Sequence, residues 1–273
     1  MVNGEDATAE EDNDWNPWYG PLALVIGFVA SIISGVVVLV IGHAAGSSLN
    51  NPTPAVTDVG TAVEEVGFVL TAVWIASWGV RPRPAQFGLL RPRIYWVKAA
   101  ACVPVAYVAF LLLSALWSAV VTKGASEKYL VKDVGAHAGA GGVLASCLVL
   151  CVIAPFCEEF LFRGFIFAAL RNWRGPVIAA LLTGVLFGAI HVGSAPAVDL
   201  VPLAVFGMLL CGLRQLTGSL YPGIALHSLN NAAALVVNAG WSFAAFVGVL
   251  VASLSLLALL VALGQRSLHL RLV

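Results

Sequence analysis

About eight apolar stretches, each close to the roughly 20 residues a helix needs to cross the hydrocarbon core, leave this chain few folds to choose from. They run over 21–45, 59–80, 94–121, 142–170, 176–193, 199–216, 220–239 and 243–264. The chain is 60% hydrophobic and 10% charged, with a mean hydropathy of +0.95, where a soluble domain carries about 25% charged residues. The expected fold is all-α: a polytopic membrane bundle of about eight transmembrane helices, with any active site inside it. Formal net charge is zero and no basic block stands out, so no nucleic-acid partner is expected.

The fourth stretch breaks the apolar pattern. Cys157-Glu158-Glu159-Phe160-Leu161-Phe162-Arg163 lies between the apolar runs 143–156 and 165–170. A charged side chain at a membrane-helix centre costs roughly 2.5–3.5 kcal/mol, so such groups face inward, are paired, and mark function. Glu159 and Arg163 are four apart and share a helical face, which predicts a supporting ion pair. Glu158 points about 100° away and has no partner in its own helix. Pro155, one turn earlier, deprives the Cys151 carbonyl of its helical donor and predicts a kink. Glu64 and Glu65 fall within two turns of the expected start of the second helix. There a carboxylate is favoured by the helix dipole; a place in a polar cavity is the other reading.

Two later helices carry groups that could meet Glu158. Phe187 and His191 share one face of the fifth helix, and His227 and Asn231 one face of the seventh. Counted from the charged end at 1.5 Å per residue, Glu158 and His191 lie about 20 and 22 Å deep, and His227 only about 10 Å. The first two match. The third needs a shifted helix start or a cavity open to that side.

The chemistry these residues suggest is attack of water on a carbonyl. Glu158 as base could take a proton from a water that His191 also holds, while His227 and Asn231 could donate to the developing oxyanion. Alternatively Glu158, His191 and His227 form a two-histidine, one-carboxylate set suited to Zn²⁺, and spacing does not choose between these. The HExxH zinc helix, the GxGD aspartyl signature and the GxSG serine context are all absent.

The order Glu158-Glu159-xxx-Arg163, Phe187-xxx-His191, His227-xxx-Asn231 resembles the CAAX protease and bacteriocin-processing (CPBP, or Abi) family of intramembrane endopeptidases. That family includes the type II CAAX prenyl endopeptidase. The resemblance covers about 142–240, and Gly88-Leu89-Leu90-Arg91-Pro92 is similar to a loop of bacterial members. It implies Glu158, His191, His227 and Asn231 as catalytic residues, with Glu159 and Arg163 supporting the architecture. It favours a metal-free glutamate mechanism, with no cofactor, over a zinc one. It further implies a cavity open to the cytoplasm and a peptide or protein substrate presented at the bilayer, prenylated or of leader type. Alternative readings are a non-catalytic membrane adaptor or bacteriocin-immunity protein on the same scaffold, and a proton-coupled transporter.

Lysine and arginine divide ten to three between the two sides. Arg81, Arg83, Arg91, Arg93, Lys98, Arg171, Arg174, Arg214, Arg266 and Arg271 face Lys123, Lys128 and Lys132. The positive-inside rule then places both termini in the cytoplasm. The Ala/Val/Gly/Leu-rich composition, with ten Arg and four Lys, reads as prokaryotic and gives a multi-pass protein of the cell membrane. The chain divides into an acidic, disordered tail without a signal peptide (1–20), three helices (21–141), the catalytic core (142–240) and a last helix with a short basic tail (241–273). Trp15, Trp18 and Tyr19 read as an interfacial anchor, and the five cysteines as apolar packing residues.

Overall fold

The computed structural model describes residues 15–79, 81–122 and 139–269, the side chains of the last helix only to residue 262. The acidic tail before Trp15, the three lysines Lys123, Lys128 and Lys132, and Arg271 lie outside the described residues. Helices α1 (Tyr19–Ala44), α2 (Pro54–Ala76) and α3 (Trp96–Trp117) come first, α3 continuing as a π-helical turn to Thr122. A long rod follows, built from α4 (Gly139–Leu148), a π-helical stretch (Val149–Ile153), α5 (Ala154–Glu159), a second π-helical stretch (Phe160–Ile166) and the start of α6 (Phe167–Ala189). Then come α7 (Leu200–Thr217), α8 (Tyr221–Ala239) and α9 (Phe243–His269).

Six helical runs among the described residues are long and apolar enough to cross a membrane, one of them the 51-residue Gly139–Ala189. That run is two rods, because Gly175 at φ 76°, ψ 170° interrupts it just before Pro176. Proline cannot donate within a helix, and glycine takes the positive φ without a Cβ penalty, so Gly-Pro makes the break where the sequence predicts one. Helix α8 falls outside the six because Pro222, His227, Asn230, Asn231 and Asn238 lower its hydropathy. The protein is thus an all-α polytopic bundle. Helix α2 differs most from expectation. It starts five residues early, at Pro54, whose fixed φ and missing N–H suit the first helical position.

The fourth rod forms the interior, with residues 157–170 buried without exception. Its segments pack against α1, α2, α8 and α9. Where α6 crosses α7 the backbones nearly touch: a Cβ on Gly207 would lie 2.9 Å from the Gly184 Cα, and one on Gly188 would lie 2.6 Å from the Leu200 carbonyl. Close approach through small residues is how membrane helices gain packing without a hydrophobic drive.

One end of the bundle is tied by the 81–95 connection. Arg93 N–H donates to the Thr217 carbonyl (2.8 Å), Leu220 N–H to Gly88 (2.9 Å), and Ser219 Oγ to Leu90 (2.7 Å). Gly88, at φ 86°, lies so close to the Arg214 guanidinium that a Cβ would meet it at 2.6 Å. Trp15 is buried at this end against Phe87 and Phe165 (4.8 and 4.9 Å between rings), so it is part of the core and not an anchor in the lipid interface. Trp18 is exposed, as an anchor would be.

Candidate active site

The helix carrying Glu158 runs through Pro155, and its carbonyls show what the missing N–H costs. In α-helical registry the donor at 155 would serve Cys151; in π registry it would serve Leu150. Both carbonyls instead take side chains from α8: Ser228 Oγ donates to Cys151 (2.6 Å) and Asn231 Nδ2 to Leu150 (2.9 Å). The expected kink takes the form of the π-helical stretch Val149–Ile153. Helix α8 is therefore stitched to the fourth rod, which fixes His227 opposite the two glutamates.

Glu158, Glu159 and Arg163 are all buried. The Arg163 guanidinium donates to Glu159 Oε1 (2.8 Å) and to the Gly207 carbonyl (3.0 Å), and lies 4.4 Å over the Phe187 ring. The Glu159–Arg163 pair is present as predicted, but Glu159 is not confined to it. His227 Nδ1 also bonds Glu159 Oε1 at 3.0 Å, while its Nε2 stands 3.8 Å from Glu158 Oε2. Thus His227 reaches both carboxyls, one by hydrogen bond and one at ion-pair range. Phe187 and Phe206 close around the imidazole edge-on, at 5.7 and 5.6 Å.

His227 is deep enough for this because α8 starts inside the protein. Thr217, Ser219 and Leu220 are buried under the 81–95 connection, so a count taken from a helix start at the membrane boundary underestimates its depth.

His191 ends the fifth rod. Its Nδ1 bonds the Phe187 carbonyl (2.8 Å), so Nδ1 carries the proton and Nε2 of the neutral ring is an acceptor. Phe187 touches both imidazoles, His191 at 5.0 Å and His227 at 5.7 Å between rings. No hydrogen bond or ion pair among the described residues joins His191 directly to Glu158. Asn231 spends one amide hydrogen on Leu150 and keeps its second.

No group of three or more His, Cys, Asp or Glu side chains among the described residues converges closely enough to hold a metal ion.

Of the two readings open for Glu65, the structure removes the first. With α2 starting at Pro54, Glu65 lies about three turns into the helix, beyond reach of the terminal dipole. Glu65 is only 5% exposed, and its carboxyl lies beside that of Glu158 where α2 packs against α5. The polar-cavity reading is the one that fits it. Ser228 was also missed, since a serine in a helix gives no sign of its acceptor.

A family model described as type II CAAX prenyl endopeptidase, Rce1-like, matches residues 140–233. The UPF0177 protein YxdF of Lactococcus lactis subsp. lactis (strain IL1403) is 25% identical over 139 residues, covering 46% of this chain and 67% of that protein. No solved structure matches the chain significantly. The matched segment, residues 140–233, holds Glu158, Glu159, Arg163, His191, His227 and Asn231, and in it the chain is similar to the Rce1-like type II CAAX prenyl endopeptidases.

Proposed function

We propose that the protein is an intramembrane endopeptidase in which Glu158 activates water against a peptide carbonyl. The observation that carries this reading is the Glu158 carboxyl itself. It is buried, its Oε2 takes no hydrogen bond from the described residues, and the His227 imidazole stands 3.8 Å away, all within the family-matched segment. A buried carboxylate oxygen left unsatisfied is costly, and a water or substrate group entering the site would relieve that cost.

In the reaction we infer, water is held between Glu158 and the Nε2 lone pair of His191. Glu158 takes one proton as the water oxygen bonds the carbonyl carbon, and the proton passes to the amine nitrogen as the C–N bond breaks. For His227 to stabilise the oxyanion, Nε2 must donate. Because Nδ1 already faces Glu159, this requires the imidazolium, whose charge Glu159 balances. Asn231 would contribute its second amide hydrogen. Glu159 and Arg163 hold His227 in place. No metal takes part in this scheme. The substrate class, following the family, is a peptide held at the bilayer, prenylated or of leader type.

The test is peptide profiling by mass spectrometry on the detergent-purified chain, with a mixture of synthetic prenylated and unprenylated peptides. Wild type should cut peptide bonds, with the same products after exhaustive chelation. Glu158→Ala and His191→Ala should lose at least about 100-fold. Equal cutting by both variants would overturn the mechanism. Activity that falls on chelation and returns with Zn²⁺ would overturn its metal-free form.

A further inference from the structure

Two buried carboxyls meet in this site. Glu65 from α2 and Glu158 from α5 are 5% and 8% exposed, and their carboxyls adjoin where the two helices pack together. Each has a buried Oε2 with no donor among the described residues. Two ionised carboxylates offer acceptors only, so nothing could bond between them. Two negative charges in contact away from water also repel strongly, and such pairs hold one proton between them. A single shared proton removes both difficulties, giving an O–H donor on one carboxyl and an ionised acceptor on the other.

The surroundings choose which carboxyl keeps the proton. Glu158 has the His227 imidazole at ion-pair range. Among the described residues, those facing Glu65 are Glu64 on its own helix and Cys157 and Glu158 on α5, none of them cationic. A group able to carry positive charge therefore stands beside Glu158 and not beside Glu65. Helix α2 is well placed to hold this contact. Two turns before Glu65, Asp58 accepts from Ser146 Oγ at 3.1 and 2.9 Å, tying α2 to α4. Glu65 lies outside residues 140–233, so the family match does not speak to it.

We propose that Glu65 is a positioning residue that holds a proton throughout the cycle and donates its O–H to the Glu158 carboxylate. This fixes the Glu158 rotamer and keeps Glu158 ionised as the base. The catalytic proton still travels from water to Glu158 to the leaving amine, while Glu65 gives up none. The proposal rests on the endopeptidase reading for its catalytic consequence, but not for the shared proton itself.

Two measurements on the full-length protein in detergent test it. Infrared spectroscopy at neutral pH reads the C=O stretch of protonated carboxyl groups. Wild type should show one such band, lost in Glu65→Gln and kept in Glu64→Gln. The peptide mixture described above reads function. Glu65→Leu, which removes the donor, should cut about 10- to 100-fold more slowly, and Glu65→Gln, whose amide N–H replaces the O–H, should restore most of that loss. Size-exclusion profiles and melting curves show whether each variant is folded.

A band that survives Glu65→Gln, or is absent from wild type, overturns the shared proton. Wild-type cutting by Glu65→Leu overturns the positioning role. If Glu158→Gln also cuts normally, the endopeptidase mechanism has failed instead, and the infrared band alone decides the dyad.

Discussion

Arg163 has no exposed surface, yet it neutralises Glu159, caps the Gly207 carbonyl and lies over Phe187. Removing one partner of a buried pair strands the other charge, at a cost of about 3–5 kcal/mol. Arg163→Leu should therefore destabilise the protein by that amount, read as a lower melting temperature in detergent. Arg163→Lys should not restore it, because one ammonium cannot reach Glu159 and Gly207 in the same fork. At this scale the sequence was informative wherever partners share a helix. The i,i+4 spacing gave Glu159–Arg163 directly. It could not show that His227 bonds Glu159 more closely than Glu158, because that depends on how α8 is rotated against the fourth rod. Glu65 was obscured by a five-residue error in where α2 begins, since the dipole argument that accounted for it holds only near a helix terminus.

Among the elements, the join between the fourth rod and α8 is the most consequential. The carbonyls of Leu150 and Cys151, left short of a donor by Pro155, are taken by Asn231 and Ser228. Ser228→Ala should cost about 1–3 kcal/mol, the penalty for an unmet buried acceptor. In a Pro155→Ala background the backbone N–H at 155 returns, so the same serine change should cost measurably less. A double-mutant cycle on unfolding free energies reads that coupling, and a coupling of zero would separate Ser228 from the proline. The rods themselves were legible from apolar runs, and the Gly175-Pro176 break from its two residues. The π-helical stretches were not, because apolar periodicity over five to seven residues does not separate registry i+4 from i+5.

For the whole molecule, the structure gathers the 81–95 connection, the turn before Pro176 and the start of α8 at one end, with Trp18 near Trp173 at 6.3 Å. Arg81, Arg83, Arg91, Arg93, Arg171, Arg174 and Arg214 thus cluster there, which is the pattern that the positive-inside rule assigns to the cytoplasm. A cysteine at Trp173 should be protected from a membrane-impermeant maleimide in intact cells, and one at Asn50, in the opposite turn, should be labelled. The reverse pattern would invert the orientation and turn the site away from cytoplasmic substrates.

The proposed mechanism puts the chemistry on one carboxylate, Glu158. Its most direct test is single-turnover cleavage of a peptide cut by wild type, comparing wild type with Glu158→Gln, a change that keeps the shape of the side chain and removes only its capacity to accept a proton. The expected result is a fall of about 10²- to 10⁴-fold with the melting temperature nearly unchanged. Cleavage by Glu158→Gln at the wild-type rate would contradict it.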